Sequence, residues 1–180
     1  MHERLTELWN QRWPKAHPCL PDQLKTEYRN QWVRFHSLPE SKRYPEADHE
    51  YATALGRCNT VMDELFNGPI YLMTTVYTSS PDWSGEDEPW RTAIVEDEPG
   101  FESYAHLHLA QHEWEPGALD GLLRRVADDA EAGVTITDPN LRWLFHPYDG
   151  GMDVLAPTTA ERDALRDRHR DWLPKHPLGF

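Results

Sequence analysis

The chain has 180 residues, a formal net charge of −13, and 38% hydrophobic and 11% aromatic residues. Its length is typical of one domain with a packed core, and eight tryptophans with seven tyrosines exclude a disordered chain, which is poor in aromatic residues. The excess of acidic residues disfavours general binding to nucleic-acid backbones, because that binding normally requires a basic surface.

The predicted elements alternate between helical and extended patterns. Leu5, Leu8, Trp9 and Trp13 share one helical face, and Tyr51, Leu55, Cys58, Met62 and Leu65 form a second apolar stripe. Pro116 opens a third helix, and Thr158 with Glu161 forms a capping box for a last one. The helices are predicted over residues 2–13, 22–29, 46–66, 116–132 and 158–172.

Strands are predicted where β-branched and aromatic residues concentrate or alternate with polar ones. In the first strand Val33 and Phe35 face one side, whereas Trp32, Arg34 and His36 face the other. The strands are predicted over residues 32–37, 70–77, 91–96, 104–114, 134–137, 141–148 and 152–156.

The order of these elements shows no regular βαβ alternation, and several strands are close enough to form hairpins. We therefore predict an α+β fold with a mainly antiparallel mixed sheet of about five to seven short strands and three to five helices packed on it. Residues 1–180 are predicted to form a single domain.

The chain shows no sign of membrane insertion or export. It contains no apolar run of about 18 residues, and its first residues lack the apolar core of a signal peptide. Two cysteines, Cys19 and Cys58, are a weak framework for a secreted fold. We expect a cytoplasmic protein with reduced thiols, although pairing of the two cysteines stays open.

The charge is distributed unevenly along the chain. Residues 1–60 hold nine basic and eight acidic residues, whereas residues 61–180 hold nine basic and 23 acidic residues. The second part could steer association with a basic protein partner, although solubility explains the same charge. An acidic loop between two tryptophans is the predicted partner-binding surface, formed by Asp82, Trp83, Glu86, Asp87, Glu88 and Trp90.

A cation-rich stretch lies in the otherwise balanced first part of the chain. Arginine offers a planar fork of donors, lysine a point charge and serine a hydroxyl, so this stretch is a candidate site for an anionic small molecule. The alternative is that its cations pair with carboxylates of the same chain. The predicted ligand-binding residues are Arg34, His36, Ser37, Ser41, Lys42, Arg43 and Tyr44.

Two histidine-containing patterns are weaker candidates. His106 and His108 share a strand face and could bind a metal, but no zinc pattern accompanies them, so we predict no metal and no cofactor. In the sequence FHPYDGGMDV, Asp149 and Asp153 lie near His146 and Tyr148, and a carboxylate–imidazole pair among them could support acid–base chemistry, but Asp149 before two glycines also suits a turn.

The sequence resembles a known family in two segments. WVRFHSLPESKRYPEADHEYATALGRCNTVMDEL and FHPYDGGMDVLAP are similar to an uncharacterised family of bacterial domains of unknown function, and FHSLPESKRYP and PYDGGMDV are its distinctive motifs. The resemblance spans nearly the whole chain. It implies a single bacterial domain, without an established activity or any catalytic residue.

Two functions follow from these patterns. The first is a non-catalytic cytoplasmic binding protein, such as an acidic inhibitor or an immunity-type protein for a basic partner. The second is a small-molecule or phosphate-ester binding protein or enzyme, in which His36 is the candidate general acid or base. The sequence leaves the catalytic residues unknown, and exposed tryptophans would equally suit a homodimer.

Overall fold

The computed structural model of the chain describes residues 2–175, which form five α-helices and seven strands and confirm the α+β prediction. The helices are α1 His2–Arg12, α2 Pro21–Glu27, α3 Asp48–Leu65, α4 Asp120–Ala127 and α5 Thr159–Arg168. The strands are β1 Trp32–His36, β2 Gly68–Thr78, β3 Arg91–Glu96, β4 Ser103–Trp114, β5 Val134–Thr137, β6 Leu144–Tyr148 and β7 Gly151–Leu155.

The seven strands of residues 2–175 form one antiparallel sheet in the order β1-β7-β6-β5-β2-β4-β3. The chain enters the sheet at one edge, with β1, and β3 forms the opposite edge. Strands β6 and β7 form the hairpin predicted at Asp149-Gly150-Gly151, and β7 then pairs with the distant β1. Long-range pairing therefore brings the two segments that carry the family resemblance side by side.

Each face of the sheet carries its own hydrophobic core. Val33 and Phe35 of β1 pack with α3, α4 and α5, in a cluster that also contains Cys58. Trp32 faces the other side and packs with α1 and α2, in a cluster that contains Cys19. The alternation predicted for β1 is thus the basis of a three-layer arrangement, with the sheet between two sets of helices.

Helix α4 and strand β6 begin three or more residues later than predicted, because side-chain hydrogen bonds hold the residues before them in turns. Helix α4 begins at Asp120 rather than Pro116, since the Asn59 side chain accepts a hydrogen bond from the Gly117 amide and donates one to Asp120. Strand β6 begins at Leu144 rather than residue 141, since the Asp138 carboxylate accepts hydrogen bonds from the amides of residues 140, 142 and 143.

The described helices are amphipathic elements of this fold. None of them, over residues 2–175, has the length and apolar character that crossing a membrane requires.

Candidate functional site

A row of polar side chains crosses three neighbouring strands. Arg34 of β1 lies opposite Asp153 of β7, and Asp153 lies opposite His146 of β6. Side chains at directly opposite positions share one face of a sheet, so the three groups line up on the α1–α2 side. The His146 ring continues the row to β5, where its Nδ1 lies 3.3 Å from the Thr135 hydroxyl.

Arg34 and Asp153 form a two-pronged ion pair at the centre of this row. Arg34 Nε donates to Asp153 Oδ1 over 2.7 Å, and Arg34 Nη2 donates to Asp153 Oδ2 over 2.9 Å. The Asp153 side chain is 4% exposed. Burial acts to lower the pKa of Arg34, but the hydrogen bonds and charge of Asp153 outweigh it and raise that pKa. The guanidinium also lies 4.7 Å from the centre of the Tyr148 ring.

Two histidines and a tyrosine beside this pair remain uncharged at neutral pH. Burial lowers the pKa of His146, and burial together with Arg34 and Arg57 lowers the pKa of His36. Burial also raises the pKa of the Tyr148 hydroxyl. These groups can therefore offer hydrogen bonds without adding charge.

A second ion pair lies on the loops beside the row. Arg43 Nε donates to Asp149 Oδ2 over 2.6 Å; the Arg43 side chain is 65% exposed, whereas the Asp149 carboxylate is buried. The loop that carries Arg43 contains two successive non-glycine residues with positive φ, Glu40 at 55° and Ser41 at 58°. Such conformations cost about 1 kcal/mol or more each and persist only where the surroundings fix them.

The groups described above enclose a polar cleft of about 450 Å³. We call it the polar cleft, and its lining residues are Lys25, Arg34, His36, Ser41, Arg43, His146, Tyr148, Asp149, Gly150 and Asp153. Four of the seven ligand-binding residues predicted from the cation-rich stretch lie here. The four polar residues singled out in FHPYDGGMDV join them across the sheet.

The other three predicted ligand-binding residues lie outside the polar cleft. Lys42 Nζ donates to the carboxylates of Glu46 and Glu50 instead. Ser37 is buried, and its hydroxyl has no hydrogen-bond partner among residues 2–175. Tyr44 is half-exposed and lies beside the Arg43 guanidinium, with 5.3 Å between Arg43 Cζ and the ring centre. Lys25 of α2 carried no sequence signal, because it reaches the cleft only through helix packing.

A second feature is a segment that we call the acidic arm and define as residues 76–104. It runs from the end of β2 through β3 to the start of β4. It contains eight carboxylates and one arginine, a net charge of −7 within a chain of −13. All eight carboxylates are exposed, and within residues 2–175 no Lys or Arg lies within ion-pair distance of them. They are Asp82, Glu86, Asp87, Glu88, Glu96, Asp97, Glu98 and Glu102.

The acidic arm also exposes large apolar side chains. Of the six exposed large hydrophobic residues recorded within residues 2–175, five lie on it, and Phe101 is the most exposed at 73%. The five are Val76, Tyr77, Ile94, Val95 and Phe101. Edge strand β3 contributes two of them, Ile94 and Val95, which directly precede the exposed Glu96 on an unpaired sheet edge.

The two tryptophans predicted to anchor a partner have different positions. Trp90 is buried, packs edge-on against Trp9, and donates from Nε1 to the Thr6 hydroxyl over 3.1 Å. Trp83 is half-buried and covers His106 and His108, with ring centres 5.2 Å and 4.6 Å apart. The acidic residues of the predicted loop face solvent, whereas its aromatic residues attach the loop to the fold.

His106 and His108 lie on one face of β4, as their spacing predicted. His106 is fully buried, and each of its ring nitrogens lies 2.9 Å from a threonine hydroxyl, of Thr78 and of Thr92. His108 Nε2 is buried without a hydrogen-bond partner among residues 2–175. Over the same residues no group of three or more His, Cys, Asp or Glu side chains is placed to hold a metal ion.

Comparison with known proteins identifies a family. Residues 20–177 match the family described as Domain of unknown function (DUF3885), so the chain belongs to that family and the resemblance noted in the sequence is confirmed. The matched range includes the polar cleft and the acidic arm but not α1. Comparisons with curated proteins and with solved structures found no match.

Proposed function

We propose that this member of the family is a non-catalytic cytoplasmic binding protein, which docks a basic protein partner through the acidic arm. The observation that carries the proposal is the combination of five exposed large apolar side chains and eight exposed, unpaired carboxylates within residues 76–104. Large apolar side chains exposed beside a concentration of charge favour an interaction surface, because a monomer gains nothing by leaving them in water.

The charge of the acidic arm selects the chemistry of the partner. A net charge of −7 attracts a basic surface, speeds its diffusional encounter and orients it. The same charge opposes self-association, since two copies of the arm would bring like charges together. A basic protein therefore fits this surface better than a second copy of the chain.

The apolar residues would supply the short-range part of the binding. Phe101 and Tyr77 are the largest of the exposed side chains, and aromatic residues are the commonest centres of binding energy in protein interfaces. Edge strand β3 also offers unpaired backbone groups to an extended partner segment. An inhibitor or immunity-type protein that covers the basic site of a toxin nuclease is one form of this function.

Two buried thiols support the cytoplasmic assignment. Cys19 and Cys58 are both free and lie in separate cores. A fold that uses no disulfide suits a compartment in which thiols stay reduced.

The proposal is tested by capturing a partner with the full chain and then measuring the purified pair at several salt concentrations. Replacing Glu86, Asp87 and Glu88 by Gln, Asn and Gln should slow association about tenfold at low salt and much less at high salt. Phe101→Ala should mainly speed dissociation, since it removes a buried contact rather than a steering charge.

A matched control removes the same charge elsewhere. Asp48→Asn, Asp63→Asn and Asp171→Asn change three exposed carboxylates outside the arm and should leave the association rate nearly unchanged. The proposal fails if the captured protein is acidic, or if this control slows association as much as the arm variant does.

A further inference from the structure

We infer that the polar cleft binds a small molecule that carries a phosphate monoester group. This is a second binding function, separate from the acidic arm in both position and charge. The polar cleft lies at the β1 side of the sheet, whereas the arm includes the opposite edge, β3.

The polar cleft is far less acidic than the chain as a whole. Lys25, Arg34 and Arg43 line it together with Asp149 and Asp153, and Lys25 Nζ pairs with Asp22 Oδ1 over 2.5 Å, so its cations and carboxylates balance in a chain of −13. Both arginine pairs face a cleft of about 450 Å³, which is within the usual size of small-molecule sites.

The two arginines keep donors free for a ligand. Arg43 uses only Nε on Asp149, so its two terminal nitrogens have no acceptor among residues 2–175. Arg34 uses Nε and Nη2 on Asp153, which leaves its Nη1 without an acceptor in the same range. Asp149 and Asp153 thus hold the two guanidinium groups in fixed orientations and still leave N–H donors free, as a preorganised anion site requires.

The neutral groups of the polar cleft add donors that fit a phosphate and its ester. His36, His146 and Tyr148 stay uncharged, because burial lowers the pKa of both imidazoles and raises that of the phenol. The Ser41 hydroxyl joins them from a loop held at positive φ. A phosphate monoester carries close to two negative charges and three acceptor oxygens, so it can use several of these donors at once.

Two glycines keep the cleft open beside Asp149. A Cβ added at Gly150 would lie 3.1 Å from the Tyr148 ring and 3.5 Å from Arg43 Cγ, so a side chain there would occupy space between two lining residues. At Gly151 an added Cβ would lie 3.0 Å from the Tyr148 hydroxyl oxygen, as well as colliding with the backbone. A side chain at either glycine would therefore crowd the Tyr148 side chain at the edge of the cleft.

The test is titration of the full chain with ribose 5-phosphate, glucose 6-phosphate and inorganic phosphate. Calorimetry measures the binding, and thermal unfolding measures the change in melting temperature. Ribose and glucose serve as uncharged controls, and sodium sulfate at equal ionic strength serves as the control for general anion binding. We expect the phosphate compounds to bind and to raise the melting temperature, and we expect the sugars and sulfate not to.

Two neighbouring residues provide matched variants. Arg43→Gln removes an exposed cation of the polar cleft and should weaken phosphate binding at least tenfold without unfolding the protein. Lys42→Gln makes the same charge change one residue earlier, but Lys42 points to Glu46 and Glu50, so it should leave the affinity unchanged. The inference is overturned if both variants lose the same affinity for phosphate, if sulfate binds as tightly as the phosphate compounds, or if no phosphate compound binds at about 10 mM, a concentration that would nearly saturate a site with a Kd of about 1 mM.

Discussion

Arg34 and Asp153 face each other across β1 and β7, and two hydrogen bonds of 2.7 Å and 2.9 Å join them although 119 residues separate them in the chain. The pair links the N-terminal edge strand to the C-terminal hairpin. It also forms the wall of the polar cleft. One interaction thus contributes to both the stability of this sheet edge and the shape of the site.

Removing one partner of this pair should be strongly destabilising. Asp153→Ala leaves the Arg34 guanidinium half-buried without its carboxylate, and we expect it to lower the free energy of unfolding by about 3–5 kcal/mol. The double variant Arg34→Met, Asp153→Leu should recover most of that loss, because no buried charge is left unpaired. Urea unfolding followed by tryptophan fluorescence measures both. A loss below about 1 kcal/mol for Asp153→Ala would contradict this view of the pair.

Gly151 should tolerate no side chain, in contrast to Gly56. A Cβ at Gly151 would lie 2.1 Å from the Phe35 carbonyl oxygen of the neighbouring strand, and backbone cannot move aside cheaply. We expect Gly151→Ala to destabilise the protein by more than about 2 kcal/mol. Gly56 lies within α3 with nothing within 4 Å of an added Cβ, so Gly56→Ala should stabilise it by about 0.5–1 kcal/mol. Thermal unfolding of the two variants checks the contrast, and similar melting temperatures would contradict it.

Acidification should destabilise the protein below about pH 6.5, in part through His146. Burial lowers the pKa of His146 from its ordinary value of 6.5, against the opposing charge of Asp153. The unfolded chain therefore takes up a proton at this position before the folded chain does, so the free energy of unfolding decreases as the pH falls below 6.5. His17, His36 and His108 have pKa values lowered in the same direction and add to the effect.

The contribution of His146 is measured by comparing unfolding at pH 7.5 and pH 5.5 in two variants. His146→Gln keeps a polar group near Thr135 but cannot take up the proton, so its stability should change less with pH than that of the native chain. His49→Gln changes an exposed histidine of α3 and serves as the control. An equal pH dependence in native protein and His146→Gln would show that burial of His146 does not contribute.

Local patterns predicted most of the fold, because they report on local structure. The apolar stripe from Tyr51 to Leu65 identified α3, and the alternation in residues 32–36 placed Arg34 and His36 on the same face of β1. Element ends were less predictable. The position of Asn59 beside Gly117, which delays the start of α4, depends on packing between distant segments.

The polar cleft could be predicted only in part, because its two halves are far apart in sequence. Arg34 and Arg43 were recognised as candidates, and Asp149 and Asp153 were recognised separately as a turn with possible acid–base partners. Only the pairing of β1 with β7 joins them, and strand register over such a distance is not encoded in periodicity. Lys42 was included by sequence proximity alone, yet the turn after Ser41 directs it toward Glu46 and Glu50.

The two thiols lie in cores on opposite faces of the sheet, and burial raises the pKa of each to about 12. No movement short of unfolding could join them within one molecule. A disulfide found after oxidation or long storage would therefore have formed in molecules that had first opened, within one chain or between two. Covalent dimers on a non-reducing gel would thus show that some molecules had unfolded earlier. Protein that has stayed folded should give no such dimers.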